Sequence, residues 1–490
     1  MKSQIAQALK WQAVGIVGRQ LLALAVFATL ARLLEPSAFG LVGLVGVYLS
    51  FIGMLVDHGI PTALIQRKNL EGKHLDTAFW FNLGWSGILC LGTAAFAGPL
   101  SALLGDPRLA SPLQWSSLGL VFTALSQVPM TLCLKAMDFR RPIIGSLIGN
   151  AVGGAIGIGM ALAGRGVWAL VAQQLTAWLA GTIFLWSVSS YRPSLQFSTR
   201  HLRELLGVSS STVASSLLWL FSSRIDQIVI GRVAGVTTLG LYVVASKIPD
   251  MAKMMSIEPL AKISLPTLSN IQDDRSQMRQ TIYDGMELNA TVSFPIFVGL
   301  AAVCSDLVPL LFGSRWAAAA GVSSLLSIYA LINTLLVFVH PSLVASGGAG
   351  RYVILNVWHA VGAVIACVVG IQFGLTSLVL GLAANDLIIS VPSLLFLRNR
   401  IGLNPWRYCR ACLIPGAASL LMVVAVWLTE AVMPNVIPSV LRLACKIGIG
   451  AAIYVGCISL LAPSTLRKLV DTVVHAFGRR SIVTATPPWS

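Results

Sequence analysis

Arg19, Arg224 and Lys247, with the carboxylates Asp226, Asp250 and Asp386, stand inside long apolar stretches of the chain. A charge at bilayer depth costs roughly 2.5–3.5 kcal/mol on insertion scales, so residues of this kind either serve a function or pair with one another. Arg19 lies about eight residues into the first apolar stretch, near mid-membrane at ~1.5 Å of rise per residue. Lys247 and Asp250 are three apart, share a helix face and can neutralise each other. Asp226 is two residues from Arg224, about 200° round a helix, and therefore faces a different neighbour. Carboxylates shielded from water can exchange a proton or hold sodium, which makes Asp226, Asp250 and Asp386 the ion-coupling candidates. Gln20, Asn150, Gln173 and Gln174 can donate to and accept from hydroxyl groups, or hydrogen-bond one membrane helix to another. His340 and His359 are expected to be packed or hydrogen-bonded. No nucleophile and base stand at catalytic spacing, so no catalytic residue is assigned. Cys409 and Cys412 form an isolated C-x-x-C beside Arg407 and Arg410; zinc needs about four ligands, and no metal site is expected there.

What must position these residues is a set of membrane helices. Of 490 residues, 56% are hydrophobic and 11% charged, against about 25% charged in soluble domains; the mean hydropathy is +0.81. Apolar stretches of about 20 residues recur along almost the whole chain, and each is long enough to span a hydrocarbon core. They are read near 11–34, 38–57, 79–104, 115–135, 143–163, 167–188, 207–231, 237–258, 288–312, 320–345, 352–372, 375–397, 408–430 and 440–462. The expectation is an all-α integral membrane protein with about fourteen transmembrane helices. Cys90, Cys133, Cys304, Cys367, Cys445 and Cys457 sit singly in these runs as small hydrophobes, and give no disulfide framework.

The net charge of +16 does not imply nucleic acid, because the basic residues occupy short gaps between apolar runs. Sorted by alternate loops, one side holds Arg67, Lys68, Lys135, Arg140, Arg141, Arg192, Arg200, Arg203, Arg398 and Arg400 among many others. The opposite side holds little beyond Arg32, Arg108, Arg165, Arg232 and Arg315. The positive-inside bias places the first set in the cytoplasm, with both termini.

Arg32 precedes Gly40-Leu41 by eight residues and Arg232 precedes Gly240-Leu241 by eight, an offset of 200; Arg141 matches Arg351 and Gly164 matches Gly374 at 210. Two six-helix blocks carry these anchors. Six is even, so the blocks enter the membrane alike, as a parallel repeat about the membrane normal. The division read from this is an N-lobe over 1–190 (helices 1–6), a C-lobe over 191–400 (helices 7–12), helices 13 and 14 over 401–465, and a cytoplasmic tail over 466–490. Gly149, Gly153 and Gly157 form a small-residue stripe for close helix approach. Pro129, Pro249, Pro295, Pro341 and Pro392 fall at membrane depth, where they bend helices or permit the lobes to rock.

Several strings resemble the Wzx-type polysaccharide flippases, in particular the WzxC-like branch of the superfamily that also holds the MATE exporters. They are Leu30-Ala31-Arg32-Leu33-Leu34-Glu35-Pro36 with Phe39-Gly40-Leu41-Val42; Asp57 and Gly59 with Ala63-Leu64-Ile65-Gln66-Arg67-Lys68, His74 and Thr77-Ala78-Phe79-Trp80; Gly166-Val167-Trp168-Ala169-Leu170-Val171-Ala172-Gln173-Gln174; Arg224-Ile225-Asp226 with Ile230-Gly231-Arg232; and Leu307-Val308-Pro309-Leu310-Leu311-Phe312-Gly313. The similarity covers roughly 5–400. It implies two helical lobes around a central cavity. It further implies alternating access that moves undecaprenyl-diphosphate-linked oligosaccharide across the bacterial inner membrane, for exopolysaccharide, capsule or O-antigen (lipopolysaccharide) synthesis. In that light Arg19, Arg224 and Lys247 become candidate diphosphate contacts, and the four amides candidate sugar contacts. A proton or sodium gradient is the expected drive, with no cofactor. The partners implied are the lipid-linked oligosaccharide, the bilayer, and candidate polymerase and export machinery. The alternatives are an ion-coupled multidrug exporter of the same superfamily, against which the cations argue, and a non-transporting scaffold for polysaccharide assembly. A polymerase or ligase would need a large catalytic loop, and the short loops leave no room for one.

Overall fold

The computed structural model describes residues 2–57, 59–67, 70–206, 210–433 and 438–467. The expected tail lies outside them from residue 468 onward. Among the described residues every regular element is helical. This is what a bilayer requires of an open chain, since each backbone N–H and C=O must be satisfied within its own segment.

In chain order the helices are α1 (Lys2–Leu33), α2 (Pro36–Asp57), α3 (Ile60–Gln66), α4 (Gly72–Leu104) and α5 (Ala110–Ser116). Then come α6 (Leu118–Lys135), α7 (Arg140–Leu162), α8 (Val167–Val188), α9 (Thr199–Leu206) and α10 (Ser210–Val229). They continue as α11 (Gly235–Ser256), α12 (Glu258–Asn270), α13 (Arg275–Phe312), α14 (Ala317–Thr334) and α15 (Val339–Ala345). The last are α16 (Ala349–Gly370), α17 (Leu375–Ile401), α18 (Pro405–Arg410), α19 (Leu413–Val432) and α20 (Ser439–Leu461).

Twelve helical runs among the described residues are long and apolar enough to cross a membrane, from Pro36–Val56 to Ser439–Leu461. The expected fourteen differ from that number at two places. Helix α1 precedes the first of these runs, and the run Leu220–Ser256 joins the last part of α10 to α11. Between those two helices the chain makes a π turn, Ile230–Ala234, and passes Gly235 at φ 83°, with no loop between. Pro129, Pro249 and Pro392 lie within continuous helices.

One compact unit comprises Met1–Met251, Cys304–Tyr329 and Gly350–Ile389. Helices α7 and α8 pack backbone to backbone along the glycine stripe. A Cβ on Gly149 would come within 2.5 Å of the Ala177 carbonyl oxygen, and one on Gly153 within 2.4 Å of the Gln173 carbonyl oxygen. Gly153→Val is therefore expected to destabilise the protein by about 1–3 kcal/mol through overpacking, read as a lower melting temperature of the purified chain. An unchanged melt would show that α7 can move away from α8.

The second unit comprises Ala252–Val303, Ala330–Ala349 and Ser390–Ser490. Ile257, Phe297, Ala330 and Leu331 form one buried cluster, and Ala418, Met422, Tyr454 and Ile458 another. Tyr454 donates to the Thr291 carbonyl at 2.8 Å. Lys446, buried on α20, meets Glu430 of α19 at 3.4 Å, which accounts for a cation well inside the last helix.

Candidate functional site

Within the first unit lies a cavity of about 910 Å³, at the upper end of the range for small-molecule sites. Helices α1, α2, α6, α7, α8, α10 and α11 supply its walls. Gly43, Gly46, Gly145 and Gly181 are among the residues that line it, and polar side chains furnish it. Arg224 comes from α10 and Lys247 with Asp250 from α11; Asn150 comes from α7, and Gln173 and Gln174 from α8. The chargeable side chains on the wall are thus Arg224, Lys247 and Asp250. The Lys247 ammonium also stands over the Phe27 ring, 4.8 Å from its centroid, in an attractive cation–π geometry.

Six of the polar residues expected from sequence are thereby brought together. Arg19, Gln20, Asp226 and Asp386 are not among the residues that line the cavity. Asp226 is engaged between α10 and α11, where Tyr242 donates its hydroxyl to one carboxylate oxygen and the Gln227 N–H donates to the other at 2.8 Å. Asp386 meets His359 Nε2 at 2.7 Å, and Asn385 donates to the His359 carbonyl at 3.1 Å, so this carboxylate joins α17 to α16. Gln127, Gln227, Ser50, Ser126 and Ser246 also line the cavity, and the sequence reading passed over them. Asn82 donates to Gln127 at 2.6 Å and orients that amide.

Aromatic rings stand at the end of the cavity nearest the α1–α2 turn. Phe27 and Phe39 line it and pack edge to face at 5.2 Å; Phe312 meets Phe27 at 5.6 Å and Trp316 meets Phe39 at 5.4 Å. Behind this layer Trp316 donates its indole N–H to the Ala31 carbonyl at 2.8 Å, and Arg315 donates to the Leu34 carbonyl at 2.9 Å. Arg32 answers by donating to the carbonyls of Leu310 and Leu311.

The same end contains a reciprocal crossing of α2 and α11. A Cβ on Gly40 would lie 1.7 Å from the Val236 carbonyl oxygen, and a Cβ on Gly240 would lie 1.8 Å from that of Pro36. Each contact maps on to the other at the 200-residue offset. Gly43 likewise faces Val243. The two arginines at that offset also share a role, for Arg32 packs beside Gly313 and Arg232 beside Gly105. Both glycines end long helices at positive φ, 101° and 94°, where other residues are strained.

At other positions on the unit, polar contacts tie α3, α4 and α9 together. Lys135 donates to the carbonyls of Leu64 and Arg67 at 2.9 and 2.6 Å. Asp76 accepts from the Tyr191 hydroxyl at 2.8 Å and from the Ser194 N–H at 3.2 Å; burial, reinforced by that carboxylate, pushes the Tyr191 phenol well above its ordinary value. Arg67 and Arg200 both bond Glu204. The Arg67 bond holds the Glu204 carboxyl below its ordinary value of 4.5. A depressed carboxylate contributes its stabilisation fully above the unfolded value and loses it as the pH falls through the folded one. Protection of the α9 amides, exchange being corrected for its intrinsic pH dependence, is therefore expected to fall on acidification below pH 4.5, and Arg67→Ala to lower it already at neutral pH. If Arg67→Ala leaves α9 exchange unchanged, the pair does not hold that helix.

A family model described as "Polysaccharide biosynthesis protein" matches residues 29–321. Among curated relatives, the succinoglycan biosynthesis transport protein ExoT of Rhizobium meliloti (strain 1021) is 28% identical over 456 residues, 90% of each chain. The lipopolysaccharide biosynthesis protein WzxC of Escherichia coli (strain K12) is 25% identical over 331 residues, 66% of each chain. Among solved structures, the lipid II flippase MurJ in an inward closed conformation superposes with a TM-score of 0.74 at 14% identity, covering 93% of this chain and 99% of that one.

Proposed function

This chain belongs to the family of polysaccharide biosynthesis proteins, and we propose that it moves a lipid-linked oligosaccharide repeat unit from one leaflet of the bacterial inner membrane to the other. The observation that carries the reading is the cavity in which Arg224 and Lys247 share a wall with Gln127, Asn150, Gln173 and Gln174. Two cations suit a diphosphate, and a set of amides and hydroxyls suits a sugar. A charge-assisted hydrogen bond contributes about 1.5–3 kcal/mol, and Arg presents a planar fork matched to phosphate oxygens.

The aromatic layer closes the end that carries Arg32, Arg232 and Arg315, which the positive-inside bias assigns to the periplasm. That orientation supports reading this state as inward-facing, with both termini cytoplasmic and the cargo taken up from the cytoplasmic leaflet. The reciprocal contacts at the 200-residue offset support two repeated lobes over 1–190 and 191–400. Alternating access would then part the α2–α11 crossing and close the opposite end. Asp226, Asp386 and Asp250 are the carboxylates proposed for coupling to a proton or sodium gradient. Arg19 and Gln20, which do not line the cavity in this state, are proposed to matter less to binding than Arg224 and Lys247.

The test is polymer export, with accumulation of the lipid-linked repeat unit in the cytoplasmic leaflet, in a deletion strain complemented at equal membrane abundance. Arg224→Ala or Lys247→Ala is expected to lower export roughly 10- to 100-fold, from the lost charge-assisted bond, with the intermediate accumulating; Arg19→Ala is expected to lower it less. Normal export by both cavity variants would reject the cavity as the binding site. Normal flipping in the deletion strain itself would reject the function.

A further inference from the structure

We propose a zinc-class metal site at the junction of α4 and α9, formed by Glu71, His74 and His201. It is independent of the transport reading. One ligand atom from each of the three residues lies within 4.8 Å of the other two. The residues come together because α9 packs against the start of α4, and the two imidazoles meet edge to face with ring centroids 4.3 Å apart.

The second observation is a polar atom with no partner. His74 is 3% exposed, yet its Nε2 is buried without a hydrogen bond. A buried nitrogen left unsatisfied costs about 1–3 kcal/mol, and a cation at that point would remove the deficit. His201 is already arranged as a ligand. Its Nδ1 lies 2.7 Å from Ser198 Oγ, and its Nε2 lies 3.6 Å from a Glu71 carboxylate oxygen. A ligating histidine ordinarily has its other ring nitrogen fixed by such a bond.

The set of two imidazoles and one carboxylate selects zinc, or cobalt as its substitute, over magnesium or calcium. Three protein ligands leave the fourth tetrahedral position for water. Bonds of about 2.0–2.1 Å require ligand atoms about 3.4 Å apart, so the three side chains would draw together as the metal binds. Coordination through His74 Nε2 places the ring proton on Nδ1 and releases the long 3.3 Å contact that Nδ1 now accepts from the Glu71 N–H. Glu204, 3.6 Å from His74 Nε2, stays with Arg67, so the nearby guanidinium charge is already answered. The bound metal would fasten the start of α4 to α9, the helix that leads towards α10.

Purified full-length protein, stripped with chelator and dialysed, is titrated with zinc chloride by calorimetry and with cobalt chloride by visible absorption. The expected result is one zinc per chain and a tetrahedral cobalt band, with His201→Ala and His74→Ala each weakening zinc at least tenfold and losing the band. His201 is partly exposed, so His201→Ala carries the test if His74→Ala does not fold. Absence of stoichiometric zinc from the wild type, or His201→Ala binding zinc as tightly as wild type, overturns the site.

Discussion

Leucine in place of Gly40 or Gly240 is expected to abolish accumulation of folded protein in the membrane. Even a single methyl carbon at these positions would sit 1.7 or 1.8 Å from a backbone oxygen, about half an ordinary carbon–oxygen separation. The obstacle is main chain on both sides, so no rotamer change relieves it. The helices would have to part by more than an ångström, and the Arg32, Arg315 and Trp316 bonds would go with them. Overpacking in a tight site commonly costs 1–3 kcal/mol; against two helix backbones the cost should be about 3 kcal/mol or more, a large share of a domain's total stability. The check is the monodisperse yield after detergent extraction, beside Gly46→Leu, where a Cβ meets nothing within 4 Å. If both crossing variants extract like Gly46→Leu, the close approach of α2 and α11 is not required for folding.

The second large effect is expected from charge reversal, with Arg224→Glu and Lys247→Glu combined in one chain. With Asp250, the cavity wall would then carry three negative groups where it now carries two positive and one negative. For an anionic cargo an attractive site becomes repulsive. Two lost charge-assisted bonds of about 1.5–3 kcal/mol each predict at least a 100-fold loss of export, with membrane abundance maintained because both side chains face the cavity. Arg224→Lys is the informative companion. It keeps the charge and loses the planar fork, so a loss confined to Arg224→Lys against a normal alanine control at Arg19 would point to bidentate recognition. Full export by the double reversal would show that the cavity does not hold an anion.

Membrane spans were legible because about 20 apolar residues in succession have few other uses, and the α7 glycine stripe because backbone approach demands small residues at helical spacing. The cavity was partly legible. Arg224, Lys247, Asn150, Gln173 and Gln174 stand out as polar groups in apolar helices, and they converge. Depth along a helix says nothing about rotation around it, and so Arg19 and Gln20 drew equal attention without lining the cavity. Ser50 and Ser126 were invisible for the opposite reason: small hydroxyls in membrane helices bond back to their own backbone, as Ser50 does to the Gly46 carbonyl at 2.7 Å, and so give no sign of the face they occupy. His359 was expected to be hydrogen-bonded, but its partner Asp386 lies 27 residues away on another helix, and only the packing of α16 on α17 identifies it. His74 and His201 are likewise separated by most of a lobe. Arg32 and Arg232 were read for topology, for the internal repeat and for the family resemblance, and their reach to the chain around Gly313 and Gly105 depends on a helix crossing that periodicity does not encode.

The aromatic layer of Phe27, Phe39, Phe312 and Trp316 has an electrical meaning. A water-filled cavity carries the potential of the compartment it opens to, so the transmembrane voltage falls mainly across whatever closes its far end. Each elementary charge crossing 100 mV releases about 2.3 kcal/mol, and here that gradient is compressed into a few side-chain thicknesses. The rings offer no chain of donors and acceptors along which a proton could hop, and the guanidinium and indole groups behind them are already bound to carbonyls. On the proposed alternating-access reading this layer would insulate as well as gate, and an energised membrane would depend on it to avoid a short circuit.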